Sequence, residues 1–207
     1  MLYNLTQIAV RLFLHIVFRL RIHHANGVPA QGGVLICSNH ISNWDPVIVA
    51  ACLTRPVSFM AKEELFRSKL LSPLIRKLHA FPIRRGAADH AAIKTAVDIL
   101  KKGNMLVMFP EGTRKNKGSL ATIERGVGLL ALRSSVMIVP ANIQSTYRLF
   151  GKLSVTFGQP FQLSETTVGG DTLTSQSHDQ SKRMSIDEAA DYIAMRMREL
   201  AKEGTGP

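Results

Sequence analysis

Short apolar strands alternating with helical segments predict an α/β fold, a single domain with a largely parallel central sheet covered by helices, preceded by an N-terminal amphipathic helix. Size and composition agree with one domain. The chain has 207 residues, and 45% of them are hydrophobic, enough for a sizeable core. Segments such as Gly32–Ser38 and Met105–Phe109 are almost continuously apolar, as strands covered on both faces must be.

Gly32–Ser38 reads as a buried strand that runs straight into His40, and Pro46–Leu53 as a helix. Val57–Met60 reads as a second strand, Phe66–Leu78 as a helix interrupted near Pro73, and Phe81–Arg85 as a short extended piece. Asp89–Lys102 predicts a helix, because Ile93, Ala96, Val97 and Leu100 share one face and Gly103 closes it. Met105–Phe109 predicts a strand emptying into Pro110-Glu111-Gly112. Glu124–Ser134 reads as a helix, Val136–Ile143 as a strand, and Leu153–Phe157 as a last strand ended by Gly158 and Pro160. Residues 164–185 are polar and nearly free of large apolar groups, which suits a linker. Asp187–Lys202 predicts a helix with Ile193, Met197 and Leu200 on one face. The expected organisation is a helix over 1–22, the α/β domain over 23–163, a linker over 164–185 and a C-terminal helix over 186–207.

Charge is unevenly spread. Residues 1–164 carry 21 Lys and Arg against 7 Asp and Glu, whereas residues 165–207 carry 5 against 8. A basic body implies an anionic partner. In the first twenty residues, Asn4, Gln7, Arg11, His15 and Arg19 recur at helical spacing as a narrow polar stripe. Leu5, Ile8, Leu12, Phe13, Ile16, Val17 and Leu20 cover the rest. Arg11 sits mid-segment, which disfavours a spanning helix, and the charge placement disfavours a signal peptide. The preferred expectation is a helix lying in the membrane interface with Arg11 and Arg19 near lipid headgroups; a helix packed on the protein's own core is the alternative. Cys37 and Cys52 lie in apolar runs and read as packed thiols in a reducing compartment. His23-His24 reads as a surface pair.

Two clusters carry chemistry. The first is Asn39-His40-Ile41-Ser42-Asn43-Trp44-Asp45. A carboxylate beside a histidine fixes its tautomer, frees the other ring nitrogen to take a proton, and stabilises the resulting imidazolium. Five residues apart, His40 and Asp45 face each other neither on a helix nor on a strand, so an irregular loop is required. Asn43 and Pro46 make one plausible. The second cluster is Phe109-Pro110-Glu111-Gly112-Thr113-Arg114. Gly112 permits close backbone approach, Thr113 supplies a hydroxyl, and Arg114 a planar fork suited to phosphate. Glu111 can accept hydrogen bonds from ligand hydroxyls or hold an arginine. Arg84-Arg85 adds cations at another strand end. A base and an anion cradle together suggest an enzyme acting on a hydroxyl that travels with a phosphate.

These blocks, with Phe81-Pro82-Ile83-Arg84-Arg85 and Ile138-Val139-Pro140, resemble the glycerolipid acyltransferases, specifically the 1-acylglycerol-3-phosphate acyltransferases, over about residues 30–160. Two departures from the family's pattern are Leu78-His79-Ala80, where a glycine is common, and Lys115, where a serine is common. The resemblance implies that His40 is the general base and Asp45 its orienting partner. It implies that Arg85, Glu111 and Arg114 bind the acceptor, that Gly112 and Thr113 shape the turn, and that Pro140 helps to form a wall. It further implies attack by the sn-2 hydroxyl of lysophosphatidic acid on an acyl thioester of acyl carrier protein or coenzyme A, giving phosphatidic acid, with no cofactor and no metal. The expected partners are then lysophosphatidic acid, the thioester donor and an anionic membrane surface, with the protein held as a peripheral or monotopic protein at the cytoplasmic face of the cell membrane.

Several alternatives remain open on the residues alone. The acceptor could be another lysolipid or glycerol 3-phosphate. A covalent route through Cys37 is disfavoured, because a thiol in an apolar strand is protonated and inert. A non-catalytic membrane-binding protein would leave the His40/Asp45 pair without a purpose. Nucleic acid is disfavoured, since only 6% of residues are aromatic and no base-stacking pattern accompanies the basic ones.

Overall fold

The computed structural model describes residues 2–69, 71–84, 89–111, 125–163 and 184–203. Its strands are β1 (Leu20–His23), β2 (Val34–Ser38), β3 (Val57–Lys62), β4 (Ala80–Ile83), β5 (Met105–Met108), β6 (Met137–Ser145) and β7 (Leu153–Phe157). They form one sheet in the order β1-β7-β6-β2-β5-β3-β4. The five strands from β6 to β4 run parallel, while β7 pairs antiparallel with β6 and parallel with β1. The sheet is therefore largely parallel, as the alternation predicts. The reversal has a local cause: residues 146–152, between β6 and β7, are too few for a parallel crossover, which takes about a dozen.

Helices cover both faces. Alternate residues of β2 and β5 divide between two cores: Val34, Ile36, Met105 and Val107 lie in one, Leu35, Cys37, Leu106 and Met108 in the other. Over the first core lie α1 (Leu2–Phe18), α2 (Asp45–Cys52) and α3 (Leu71–Lys77), through Leu14, Ile48, Val49 and Ile75. Over the second lie α4 (His90–Lys101), α5 (Arg125–Ser134) and α6 (Ile186–Glu203), through Ala96, Leu100, Val127, Leu130, Ile193 and Met197. Burial of each such Leu or Ile contributes roughly 1.5–3 kcal/mol, so strands covered on both faces lose their polar positions. α6 seats closely on α5, because a Cβ on Gly128 would stand 2.1 Å from the Ile186 carbonyl oxygen.

The winding of the chain places a crevice at the centre of the sheet. β2 is followed by α2 on one face, and its neighbour β5 leads toward α5 on the other. Two adjacent parallel strands whose connections leave to opposite faces open a crevice beyond their C-terminal ends. Both motif clusters begin there.

Three local outcomes differ from the sequence expectation. The N-terminal helix stops at Phe18, where Arg19 turns the chain in a left-handed conformation (φ 45°), and Leu20–His23 becomes β1 by pairing with β7. A partner more than a hundred residues away overrides the local helical pattern. The stretch from Phe66 resolves into a 3-10 turn, Glu63–Arg67, followed by the short α3. Pro73 falls in the first turn of α3, where no backbone donor is needed, and so does not interrupt it.

The third difference is in α1. Its polar stripe divides: the Gln7 amide donates to the carbonyls of Ala50 (2.6 Å) and Leu53 (2.7 Å), closing the C-terminal end of α2, while Arg11 and His15 stay exposed. Leu14 is buried, yet Ile8, Leu12, Phe13 and Ile16 on the opposite face are 56–63% exposed. One helix thus packs on the core along one side and presents an apolar side outward. Among the described residues no helix is long and apolar enough to cross a membrane.

Candidate active site

β2 ends at Ser38, and Asn39 holds the chain where it leaves the sheet. The Asn39 amide donates to the Ile143 carbonyl (2.9 Å) and its carbonyl accepts from the Ile143 N–H (2.7 Å), so the side chain continues the ladder on β6 in place of backbone. The main chain is then free to turn. His40 follows, 8% exposed, and its ring stacks on Phe109 at 4.4 Å between centroids, with 28° between planes. Phe109 is the first residue past β5. In β2 and β5 Cys37 stands opposite Met108, and His40 and Glu111 each lie three positions further along. His40 and the Glu111 turn therefore share one lip of the sheet.

Asp45 opens α2 and is fully buried. The loop required between the two residues is a tight one. Asp45 Oδ2 accepts the backbone N–H groups of Ile41 (2.6 Å) and Ser42 (2.7 Å) and meets His40 Nδ1 at 2.8 Å. A carboxylate surrounded by donors acts only as an acceptor, so Nδ1 carries the proton and Nε2 is left as the basic nitrogen. The N-terminus of α2 adds a favourable field for the negative charge. The other oxygen, Oδ1, accepts the hydroxyl of Tyr147, from the loop between β6 and β7. Burial, followed by the Asp45 carboxylate beside it, pushes the Tyr147 phenol well above its ordinary value. It remains a donor at any working pH.

Glu111 ends the described part of its turn. Its two carboxyl oxygens are out of solvent and make no hydrogen bond among the described residues. Its pKa is raised to about 7, chiefly by burial and in smaller part by the charge of Asp45, while the nearby backbone N–H of His40 works in the opposite direction. A buried carboxyl without partners awaits a donor. Hydroxyl groups of a ligand in the crevice would supply one.

Of the other candidates, Gly112, Thr113, Arg114 and Arg85 lie outside the described residues. Arg84 closes β4 at the sheet edge, where its Nε is 3.0 Å from Glu63 Oε2 and its N–H donates to Asp89, the N-cap of α4. Pro140 is buried in β6 opposite Cys37. The Cys37 and Cys52 thiols are free and buried; burial raises both, Cys52 to about 12 and Cys37 beyond the ordinary range. Cys37 points into the core beneath α4–α6. His23 and His24 are exposed and border an open concavity of about 970 Å³ along β1 and β7, a polar sheet face. Sequence reasoning missed Asn39 as a ladder-closing amide, Phe109 as the platform under His40, and Tyr147 altogether. Phe109 stood within a quoted block; for Tyr147 no local signal exists.

The arrangement is a buried histidine–carboxylate pair beside a carboxyl that has no partner among the described residues, at the C-terminal lip of a parallel sheet. Comparison with known proteins gives the family of the chain. The family model described as Acyltransferase matches residues 19–144. The chain is 30% identical over 171 residues to the 1-acyl-sn-glycerol-3-phosphate acyltransferase of Bacillus subtilis, covering 79% of this chain and 84% of that one. It is 31% identical over 142 residues to the lyso-ornithine lipid O-acyltransferase of Pseudomonas aeruginosa, covering 68% of this chain and 52% of that one. The crystal structure of the 1-acyl-sn-glycerophosphate (LPA) acyltransferase PlsC of Thermotoga maritima superimposes with a TM-score of 0.72 over 99% of this chain and 80% of that one; at 20% identity, this speaks to the fold. The His40–Asp45 pair and the Glu111 turn thus stand on the sheet of an α/β enzyme, and the chain belongs to the acyltransferase family.

Proposed function

We propose that the protein transfers a fatty acyl group from an acyl thioester to the sn-2 hydroxyl of 1-acylglycerol 3-phosphate, giving phosphatidic acid. The observation that carries this reading is the buried His40–Asp45 pair facing the same crevice as Glu111. His40 Nε2 takes the proton of the acceptor hydroxyl as its oxygen attacks the thioester carbonyl. The resulting imidazolium is held by Asp45 across the 2.8 Å contact. When the tetrahedral intermediate collapses, the C–S bond breaks, and the thiolate takes the proton from His40. One ester forms, one thioester is consumed, and the base returns to its starting state. In this reading Arg85 and Arg114 hold the acceptor phosphate, Glu111 accepts hydroxyl groups of the acceptor, and Gly112 and Thr113 shape the turn. Acyl carrier protein and coenzyme A are both anionic donors that suit the basic body.

The reading also places the protein peripherally at the cytoplasmic face of an anionic membrane. Support comes from the exposed Ile8, Leu12, Phe13 and Ile16 of α1, flanked by Arg11 and His15, and from Trp44, Leu149 and Phe150, which are 59–68% exposed around the crevice. Such a surface lies flat in the headgroup region, apolar side down and cations among the phosphates.

The decisive experiment measures acyl transfer to lysophosphatidic acid by purified wild type and His40→Ala. Loss of the base should lower kcat by about 10²–10⁴-fold. Retained turnover would overturn the assignment. A second reading, transfer to another lysolipid, is favoured by the similarity to the lyso-ornithine lipid enzyme. A panel of lysolipid acceptors assayed with the same donor decides between the two.

A further inference from the structure

We infer that Tyr147 is a positioning residue for this acyl transfer, acting through Asp45 to set the aim and the basicity of His40. The inference rests on the general-base reading of His40 above.

The four described donors around Asp45 are unequally shared. Oδ2 receives the N–H groups of Ile41 and Ser42 and the His40 ring, whereas Oδ1 has a single described donor, the Tyr147 hydroxyl. Tyr147 belongs to a different part of the chain, 102 residues away, and its backbone is bent into the left-handed region (φ 52°) with its N–H on Ser145 Oγ at 2.9 Å. A bulky residue in that region costs on the order of 1 kcal/mol, so the surrounding structure holds it there against a local preference. Two contacts do so. The Phe18 ring meets Tyr147 edge-on at 6.3 Å, and the N–H of Phe150, three residues on, donates to the Val17 carbonyl at 2.7 Å. The loop is thereby pinned to the end of α1, and the hydroxyl is delivered to Oδ1.

The chemistry follows from charge. A carboxylate that spreads its charge over four donors stabilises the imidazolium less than one with an uncompensated oxygen. With Tyr147 in place, the charge of Asp45 is shared with one more donor, and less of it is available to the His40 ring. Removing the hydroxyl leaves Oδ2 held by its remaining donors, so Asp45 stays near the ring while its charge becomes more available. The His40 pKa should then rise. The titratable groups bearing on this pair are Tyr147 itself and Glu111 from the end of β5.

The test compares wild type with Tyr147→Phe, which keeps the ring against Phe18. Turnover is measured with lysophosphatidic acid and the same thioester donor, and the His40 ring is titrated directly by NMR, its signal assigned from His40→Ala. Glu111 is common to both proteins, so the difference between the two titrations reports the Tyr147 hydroxyl. The expected result is a His40 titration displaced to higher pH by on the order of half a unit, a kcat lower by up to about threefold at pH values below that titration, and a deficit that vanishes as pH rises above it. KM for donor and acceptor should stay within about twofold. An unchanged His40 titration, or a loss of kcat equal at all pH values, overturns the inference and leaves Tyr147 as a packing residue. If instead His40→Ala is as active as wild type, the general-base reading itself fails, and the two failures are distinguishable.

Discussion

Glu111 should make the stability of the protein depend on pH in a direction opposite to that of ordinary surface carboxylates. Its pKa is raised from 4.5 to about 7, chiefly by burial. Between those values the native protein holds a proton that the unfolded chain has released, so unfolding liberates it and stability falls as pH rises. The contribution is complete below the unfolded pKa and gone once pH passes the folded one. A wholly buried group would change stability by about 1.4 kcal/mol per unit over this window, an upper bound of about 3.4 kcal/mol. Glu111 is half-buried, and solvent screening brings the expected change to roughly 1–2 kcal/mol. Glu111→Gln keeps the shape and carries no titrating proton. Urea unfolding of both proteins at about pH 5 and about pH 8 should show the glutamine variant gaining 1–2 kcal/mol on wild type at the higher pH, roughly the amount worked above. A difference that is flat with pH, or that moves against the variant, would show that the carboxyl is solvated and refute its place in the crevice.

Three further outcomes follow from packing and chemistry. Cys37→Ala should retain near-full turnover at a cost of about 1 kcal/mol in stability, because the buried thiol faces the core beneath α4–α6; loss of turnover in a folded variant would reinstate an acyl-enzyme. Ile8→Glu with Ile16→Glu should weaken flotation with anionic vesicles at least tenfold, the scale set by burying two such side chains, while the thermal midpoint hardly moves. Unchanged flotation would mean that this face does not meet lipid. Gly128→Ala should destabilise by about 2 kcal/mol or more even though alanine favours a helix by about 1 kcal/mol, because the added carbon meets the Ile186 carbonyl oxygen and the Ala190 nitrogen, at 2.1 and 2.9 Å. Calorimetry showing a stabilised variant would contradict the close seating of α6 on α5.

What could be read from the sequence was what lies close together along it. His40 and Asp45 are five residues apart, and Glu111 follows a strand, so their loop and their lip of the sheet were both foreseeable. Asn39 and Tyr147 work across 104 and 102 residues, on Ile143 and Asp45. No spacing rule reaches that far; only the folded sheet brings β6 beside β2. The same limit accounts for β1, whose partner β7 lies far downstream, and for Gln7, a member of the predicted polar stripe that turns inward to the carbonyls of α2. A helical wheel shows which residues share a side, but not which side another helix will take.

The bond from Phe150 to the Val17 carbonyl, and the edge of Phe18 against Tyr147, bear on how the protein should be handled. Trimming the first eighteen residues to spare a preparation from detergent would remove a wall of the Tyr147 loop along with the greasy helix. If the proposed roles hold, weak turnover by such a shortened chain would report a slack hydroxyl as much as lost membrane contact, and water-soluble substrates would not restore it.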